Sequence, residues 1–220
     1  HEHHHSHPVF DVGLFYTNRV FTMSCLAALV MYTTTFANLV LVSLYLQYLK
    51  GMTPSATGIL MMAQPLMMAV VAPISGKLSD RFEPRVIASS GMLVTAVGLS
   101  LFATLEQSSS IAVVVICLLV TGLGFSLFTS PNANAVMGAV DSGDYGRAAG
   151  ALAVMRVVGQ MSSMGLVAMV FALALGPIQI TPAVYDTLGR AISTCFTVGA
   201  ALCTAGVILS FARGRVHGPG

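Results

Sequence analysis

Chemistry in this chain is confined to a few polar side chains set in apolar sequence. The densest group is Gly76-Lys77-Leu78-Ser79-Asp80-Arg81-Phe82-Glu83-Pro84-Arg85, where five ionisable residues fall in ten positions between two long apolar runs. A charged hairpin of this kind fixes orientation across a bilayer, clamps a helix end, or both, because cations stay on one side and helix ends attract opposite charge. Arg156 stands alone inside another apolar run, and Asn38, Gln64 and Gln160 are further polar positions of the same kind. For Arg156 and Gln64 two readings stay open: a clamp bonded to a neighbouring helix, or the lining of a polar path. The reacting groups of an enzyme are absent, since no histidine lies in an apolar run and there is no GxSxG elbow, HExxH pair or Gly-rich phosphate loop. No catalytic residue and no cofactor is expected.

The elements that must hold these residues follow from composition. Hydrophobic residues make up 55% of the chain and charged residues 8%, against roughly 25% charged in soluble domains. That is the composition of a protein whose solvent is lipid, so the expected class is an all-α membrane protein. A net charge of +2 without a basic, aromatic-laced cluster gives no reason to expect a nucleic-acid partner. Cys25, Cys117, Cys195 and Cys203 sit singly in apolar runs, which indicates packing rather than disulfides or zinc. The run His1-Glu2-His3-His4-His5-Ser6-His7 reads as a solvated linker or tag remnant, and no metal site is expected from it. With neither an initiator Met nor an apolar leader before it, the chain is expected to be a fragment.

In chain order, residues 1–19 form the His-rich segment and an amphipathic approach from about Val9, residues 20–213 the transmembrane bundle, and residues 214–220 a tail. Six spans are expected at about 20–48, 54–76, 84–105, 111–135, 148–175 and 188–212, each long enough for a hydrocarbon core of about 30 Å. Thr53-Pro54 starts span two as a side-chain cap followed by a ring that needs no amide partner. Pro65 and Pro73 should kink that span, and Ser130-Pro131-Asn132 should break the end of span four. Six spans put both termini on one side. That side collects Arg19, Lys77, Arg81, Arg85, Arg147, Arg213 and Arg215, and the other only Lys50 and Arg190, so the hairpin and both termini are expected in the cytoplasm.

A weak internal repeat supports two three-helix units. Laying the segment from Pro54 over the one from Gly146 pairs Ala56 with Ala148, Gly58 with Gly150, Leu60 with Leu152 and Gln64 with Arg156. Gln64 and Arg156 then lie about ten residues into their helices, roughly 15 Å, near the middle of the membrane. Leu152, Gly159 and Gln160 share a stripe with Arg156, and the stripe should look into the bundle. Gly91, Thr95 and Gly98, and Gly150, Gly159, Ser162, Ser163 and Gly165, suit close helix packing. Met61, Met62, Met67 and Met68 could form an adaptable wall or face lipid.

The hairpin resembles the loop motif G-x-L-A-D-R-x-G-R-[KR] of the major facilitator superfamily, with Glu83 and Pro84 where that motif has glycine and a cation. With Leu44-Tyr45-Leu46-Gln47 before Gly51, Ser130-Pro131-Asn132-x-Asn134-Ala135, and Gly150-x-Leu152-x-x-x-Arg156-x-x-Gly159-Gln160, the chain is similar to the last six helices of fourteen-span drug:proton antiporters of the EmrB/QacA type. The resemblance implies a half-transporter in a bacterial inner membrane, working by alternating access with a missing N-terminal half. Its partners would be protons, the lipid bilayer and a small amphipathic or cationic drug-like substrate. It also implies that Gly76, Asp80, Arg81 and Arg85 form a conformational latch, while Gln64, Arg156, Gln160 and Asn38 become candidates for the transport path. No carboxylate lies in mid-span, so the coupling carboxylates are expected in the missing half. The rival from another class is a free-standing six-helix scaffold or channel that dimerises through the same small-residue faces.

Overall fold

The structure is a computed structural model that describes residues 12–176 and 181–212, with the side chains of 12–14, 80 and 212 excepted. Among the described residues every regular element is helical, and six helices are long and apolar enough to cross a membrane: Arg19–Leu49, Pro54–Ser79, Pro84–Ala103, Ile111–Gly138, Ser142–Ala174 and Pro182–Phe211. A short helix, Val12–Thr17, precedes them. The His-rich run, Pro177 and the basic tail with Arg213 and Arg215 lie outside the described residues.

Span one is not one continuous α-helix. It turns at Phe36-Ala37, because the hydroxyls of Thr33, Thr34 and Thr35 donate back to the carbonyls of Leu29 (2.8 Å), Met31 (3.0 Å) and Met31 (2.7 Å), competing with the backbone ladder. The freed N–H of Ala37 donates to Ser163 Oγ of span five at 3.0 Å. A new helix, Asn38–Leu44, runs into a π-helical turn, Tyr45–Leu49, and stops at Gly51, whose φ of +64° suits a residue without a side chain.

Span two opens as the sequence dictates. Thr53 accepts a hydrogen bond from the N–H of Ala56 at 3.3 Å, and Pro54 is the first helical residue. The kink expected at Pro65 is instead an interruption at Met62, between helices Pro54–Met61 and Ala63–Arg81. Pro65 has no N–H to offer the carbonyl of Met61, and Met62 closes the gap with a tighter bond to Ile59 at 3.2 Å. Pro73 lies inside an unbroken helix. Pro131 corrects the expectation of a broken end, since span four continues through it to Gly138. Neighbouring helices make such a proline tolerable in lipid, and Asn132 next to it donates to the Ser24 carbonyl of span one at 3.1 Å. Span five begins at Tyr145 and span six at Tyr185, each about one turn before its expected start.

Spans one, three, four and six make the core, with Phe21, Met31, Leu46, Met92, Phe102, Leu118 and Phe128 fully enclosed. Cys25, Cys117 and Cys203 are buried and Cys195 half-buried, all as free thiols. Spans three and four touch backbone to backbone: a Cβ at Gly91 would lie 2.7 Å from the Gly124 carbonyl, and one at Gly124 would lie 2.5 Å from Thr95 N. Spans two and five lie outside this core. Only 11% of span two's and 17% of span five's most apolar stretch is buried, against 61% for span one.

Candidate functional site

Two polar places emerge, one at the hairpin end and one at mid-depth. At the hairpin end, Ser79 is buried on span two; its hydroxyl accepts from Asn134 Nδ2 of span four at 2.6 Å and donates to the Gly76 carbonyl at 2.8 Å. Gly76 permits this approach, for a Cβ there would meet Ser130 Oγ at 3.2 Å. Arg81 closes the helix where a cation favours the exposed carbonyls, and Pro84 starts the next helix at its first position. Arg81 is exposed and Arg85 half-buried, with its Nε enclosed and unpartnered. The side chain of Asp80 lies outside the described residues. Across the bundle's other end, Lys50 Nζ donates to the Gln107 carbonyl at 2.6 Å and to that of Ser109, and Tyr45 OH donates to the Glu106 carbonyl at 2.6 Å.

The mid-depth site is a groove of about 230 Å³ on the face between spans two and five. Tyr32, Phe36 and Phe125 supply its rings, Leu39, Pro65 and Met68 its aliphatic walls, and Thr35, Gln64 and Gln160 its polar groups. Glycines place these groups. Gly122 lets span two settle on span four at Gln64, since a Cβ would lie 2.8 Å from the Gln64 carbonyl. Gly159 does the same for spans five and one, where a Cβ would lie 2.8 Å from Tyr32 Cβ and 2.7 Å from the Leu29 carbonyl. Tyr32 meets Phe125 edge-on at 5.6 Å, and the Arg156 guanidinium lies over the Tyr32 ring, 5.3 Å from its centroid.

Gln64 Oε1 is enclosed without a partner, and so are both amide atoms of Asn38, which is 2% exposed at the start of the helix after the Phe36-Ala37 turn. Asn38 precedes the end of span one by eleven residues (49 − 38), about 17 Å along the helix, so it too lies near mid-membrane. Orphaned polar atoms in a hydrocarbon setting are costly and are retained for a reason.

The structure redraws part of the expected stripe. Gly159 is buried and Gln160 half-buried, but Arg156 is exposed at the rim of the groove rather than turned into the bundle. The groove therefore pairs Gln64 with Gln160, one helical turn beyond the Arg156 that the repeat aligned with it. Gly150 is half-buried, whereas Ser162 and Gly165 are exposed, and a Cβ at Gly165 would meet nothing within 4 Å. Sequence reasoning passed over Asn134 and Ser79 as a linking pair, and over Tyr32. Their signal was positional: small or polar residues near the same end of two adjacent spans, and a Thr-Thr-Thr run immediately after a tyrosine.

Six apolar spans carrying polar groups at mid-depth define an integral membrane protein. Residues 23–217 match the Major Facilitator Superfamily, and the chain belongs to that family. It is 28% identical over 200 residues to the riboflavin transporter RibZ of Clostridioides difficile, covering 91% of this chain and 44% of that protein. It is 28% identical over 167 residues to the multidrug resistance protein Stp of Mycobacterium tuberculosis, covering 76% of this chain and 31% of Stp. With the drug efflux pump JefA of the same species it shares 24% identity over 195 residues, covering 87% and 38%. The chain thus spans less than half the length of these relatives, which are transporters and not enzymes.

Proposed function

We propose that this chain is the C-terminal six-span half of a proton-coupled multidrug exporter of the fourteen-span EmrB/QacA type, in which a small amphipathic solute binds between it and an N-terminal bundle. The observation that carries the reading is the position of the groove. It lies at mid-depth between the two least buried spans, so the face that a second bundle would cover also holds Gln64, whose amide oxygen has no partner. Drug-export names among the relatives support the substrate class.

On this reading the protein resides in a bacterial plasma membrane with the hairpin and both termini in the cytoplasm, as the excess of cations at the hairpin end favours. Gln64, Gln160, Arg156 and Asn38 serve the path, Gly150 and Gly159 the packing of span five, and Gly76, Asp80, Arg81 and Arg85 a latch between spans two and four. The latch closes where Asn134 meets Ser79, and breaking that contact would let the two helix ends part. No carboxylate lies in mid-span in this chain, so the coupling carboxylates belong to the N-terminal bundle.

The test is substrate-dependent collapse of a pH gradient in everted vesicles carrying the complete transporter. Export should stop when the gradient is dissipated, and Asp80→Asn should slow it without lowering the amount of inserted protein. Export that persists without a gradient would contradict proton coupling, and an unaltered Asp80→Asn variant would remove Asp80 from the latch.

A further inference from the structure

At the end of the bundle opposite the hairpin, an open cavity of about 600 Å³ lies where spans three and six meet the end of span one. Glu106, Asp186, Arg190 and Tyr185 line it, and Leu49 and Leu105 add apolar surface. Its parts are held in place. Tyr45 OH and Lys50 Nζ donate to carbonyls of the loop after span three, the Glu106 N–H donates to Ser109 Oγ at 2.9 Å, and Ser108 Oγ donates to Glu106 Oε2 at 3.2 Å. Ser193 Oγ donates to the Ala103 carbonyl at 2.6 Å, which ties span six to span three beside the cavity.

Asp186 and Arg190 lie one turn apart on span six, yet among the described residues neither they nor Glu106 are joined in an ion pair. Lys50, the other cation at this end, is engaged by carbonyls. Two carboxylates and one guanidinium thus line a single cavity unpaired, and the complementary ligand carries an anion and a cation side by side. Depth and approach say which ligand that is. Tyr185 meets Tyr48 edge-on at 6.4 Å, an aromatic pair at a span end where lipid gives way to water. Leu93, Val97 and Leu101, one turn apart on span three, are exposed and lead towards Leu105. From Leu93 to Leu101 is eight residues (101 − 93), an apolar track of about 12 Å. The cavity takes no residue from spans two and five, the face given above to a second bundle, so that bundle leaves it to the bilayer.

Resting on that placement of the second bundle, we infer that this cavity holds a phosphatidylethanolamine headgroup in the leaflet away from the hairpin. Its phosphate pairs with Arg190 and its ammonium with Glu106 and Asp186, while an acyl chain follows Leu93, Val97 and Leu101. A primary ammonium offers the carboxylates N–H donors that a choline headgroup lacks, and a glycerol headgroup brings no cation.

The test reads the cavity itself, through modification of Thr104→Cys by a neutral, water-soluble maleimide in the complete, purified transporter with its other cysteines replaced. Thr104 lines the cavity and is exposed. In micelles doped with one lipid at a time, phosphatidylethanolamine should slow modification about tenfold relative to phosphatidylglycerol and about threefold relative to phosphatidylcholine. Free glycerophosphoethanolamine at the same concentration, which lacks the chains, should slow it by less than about threefold. Glu106→Gln combined with Asp186→Asn should remove the advantage over phosphatidylglycerol, and Arg190→Gln should remove protection by all three lipids; all three side chains are exposed, so folding is retained. Equal rates in the three lipids, folded variants that keep the preference, protection by the free headgroup as strong as by the lipid, or a thiol at position 104 that never reacts would each overturn the inference. Export is not part of the readout, so any of these results leaves the exporter reading standing, and a transporter that shows the expected lipid order yet exports nothing would contradict that reading alone.

Discussion

The seam between spans three and four and the face shared by spans two and five are built from the same small residues to opposite ends. In the seam, Gly91, Gly98, Gly124, Thr95 and Thr121 bring two backbones together, and the hydroxyls of Thr95 and Thr121 are spent on carbonyls of their own helices. On spans two and five, a Cβ at exposed Gly58 or Gly165 would meet nothing within 4 Å, and Gln64 keeps an amide oxygen without a partner. Glycine in an apolar helix thus marks contact only where its face is covered. The unpartnered Gln64 oxygen on the groove is polarity that the bundle's own packing does not use.

The contrast can be broken most forcefully at Gly124. A Cβ there would lie 2.4 Å from Thr95 Oγ1, so Gly124→Val should cost about 3 kcal/mol or more and strip folded protein from detergent extracts, as read by size-exclusion yield. Normal yield would mean that the seam is looser than its geometry. Arg156→Ala should act on function instead: transport falls by about tenfold, equivalent to about 1.4 kcal/mol, while the melting temperature stays put, because the side chain is exposed. Arg156→Lys keeps charge and loses the planar fork, so export should persist with an altered substrate range. A fall in melting temperature in both variants would make Arg156 a clamp. Asn134→Ala should have a smaller effect on stability, about 0.6 kcal/mol for one interhelical hydrogen bond, and should show chiefly as a shift in which side of the transporter is open to labelling. The smallest change belongs to Gly165→Ala, which meets no atom within 4 Å and should leave the melt of the bundle unchanged or raise it slightly through helix propensity.

Much of this architecture was legible from residue types. Six apolar runs of membrane length, the Thr53-Pro54 cap and the Gly91-Thr95-Gly98 stripe follow from local rules of lipid burial, capping and close approach. The turn at Phe36-Ala37 was not, although Thr33-Thr34-Thr35 cause it, because threonines in lipid-facing and buried helices back-bond without breaking the helix as often as not; what decides here is Ser163 waiting across the interface to accept the Ala37 N–H. Pro131 misled for the converse reason, since its effect depends on neighbours that sequence does not display. In the site, Gln64 and Arg156 were conspicuous as polar residues in apolar runs. Their grouping was not, because which residue of a turn faces the groove is set by the contact of Gly159 with Leu29 and Tyr32, and that contact fixes the rotation of span five.

The central claim is that the face between spans two and five meets a solute path and not lipid. The direct measurement is thiol labelling of Gln160→Cys in the complete transporter, with Cys25, Cys117, Cys195 and Cys203 replaced. A charged, membrane-impermeant reagent should modify the thiol at position 160 and stop transport. Modification by lipid-soluble reagents alone would contradict the account.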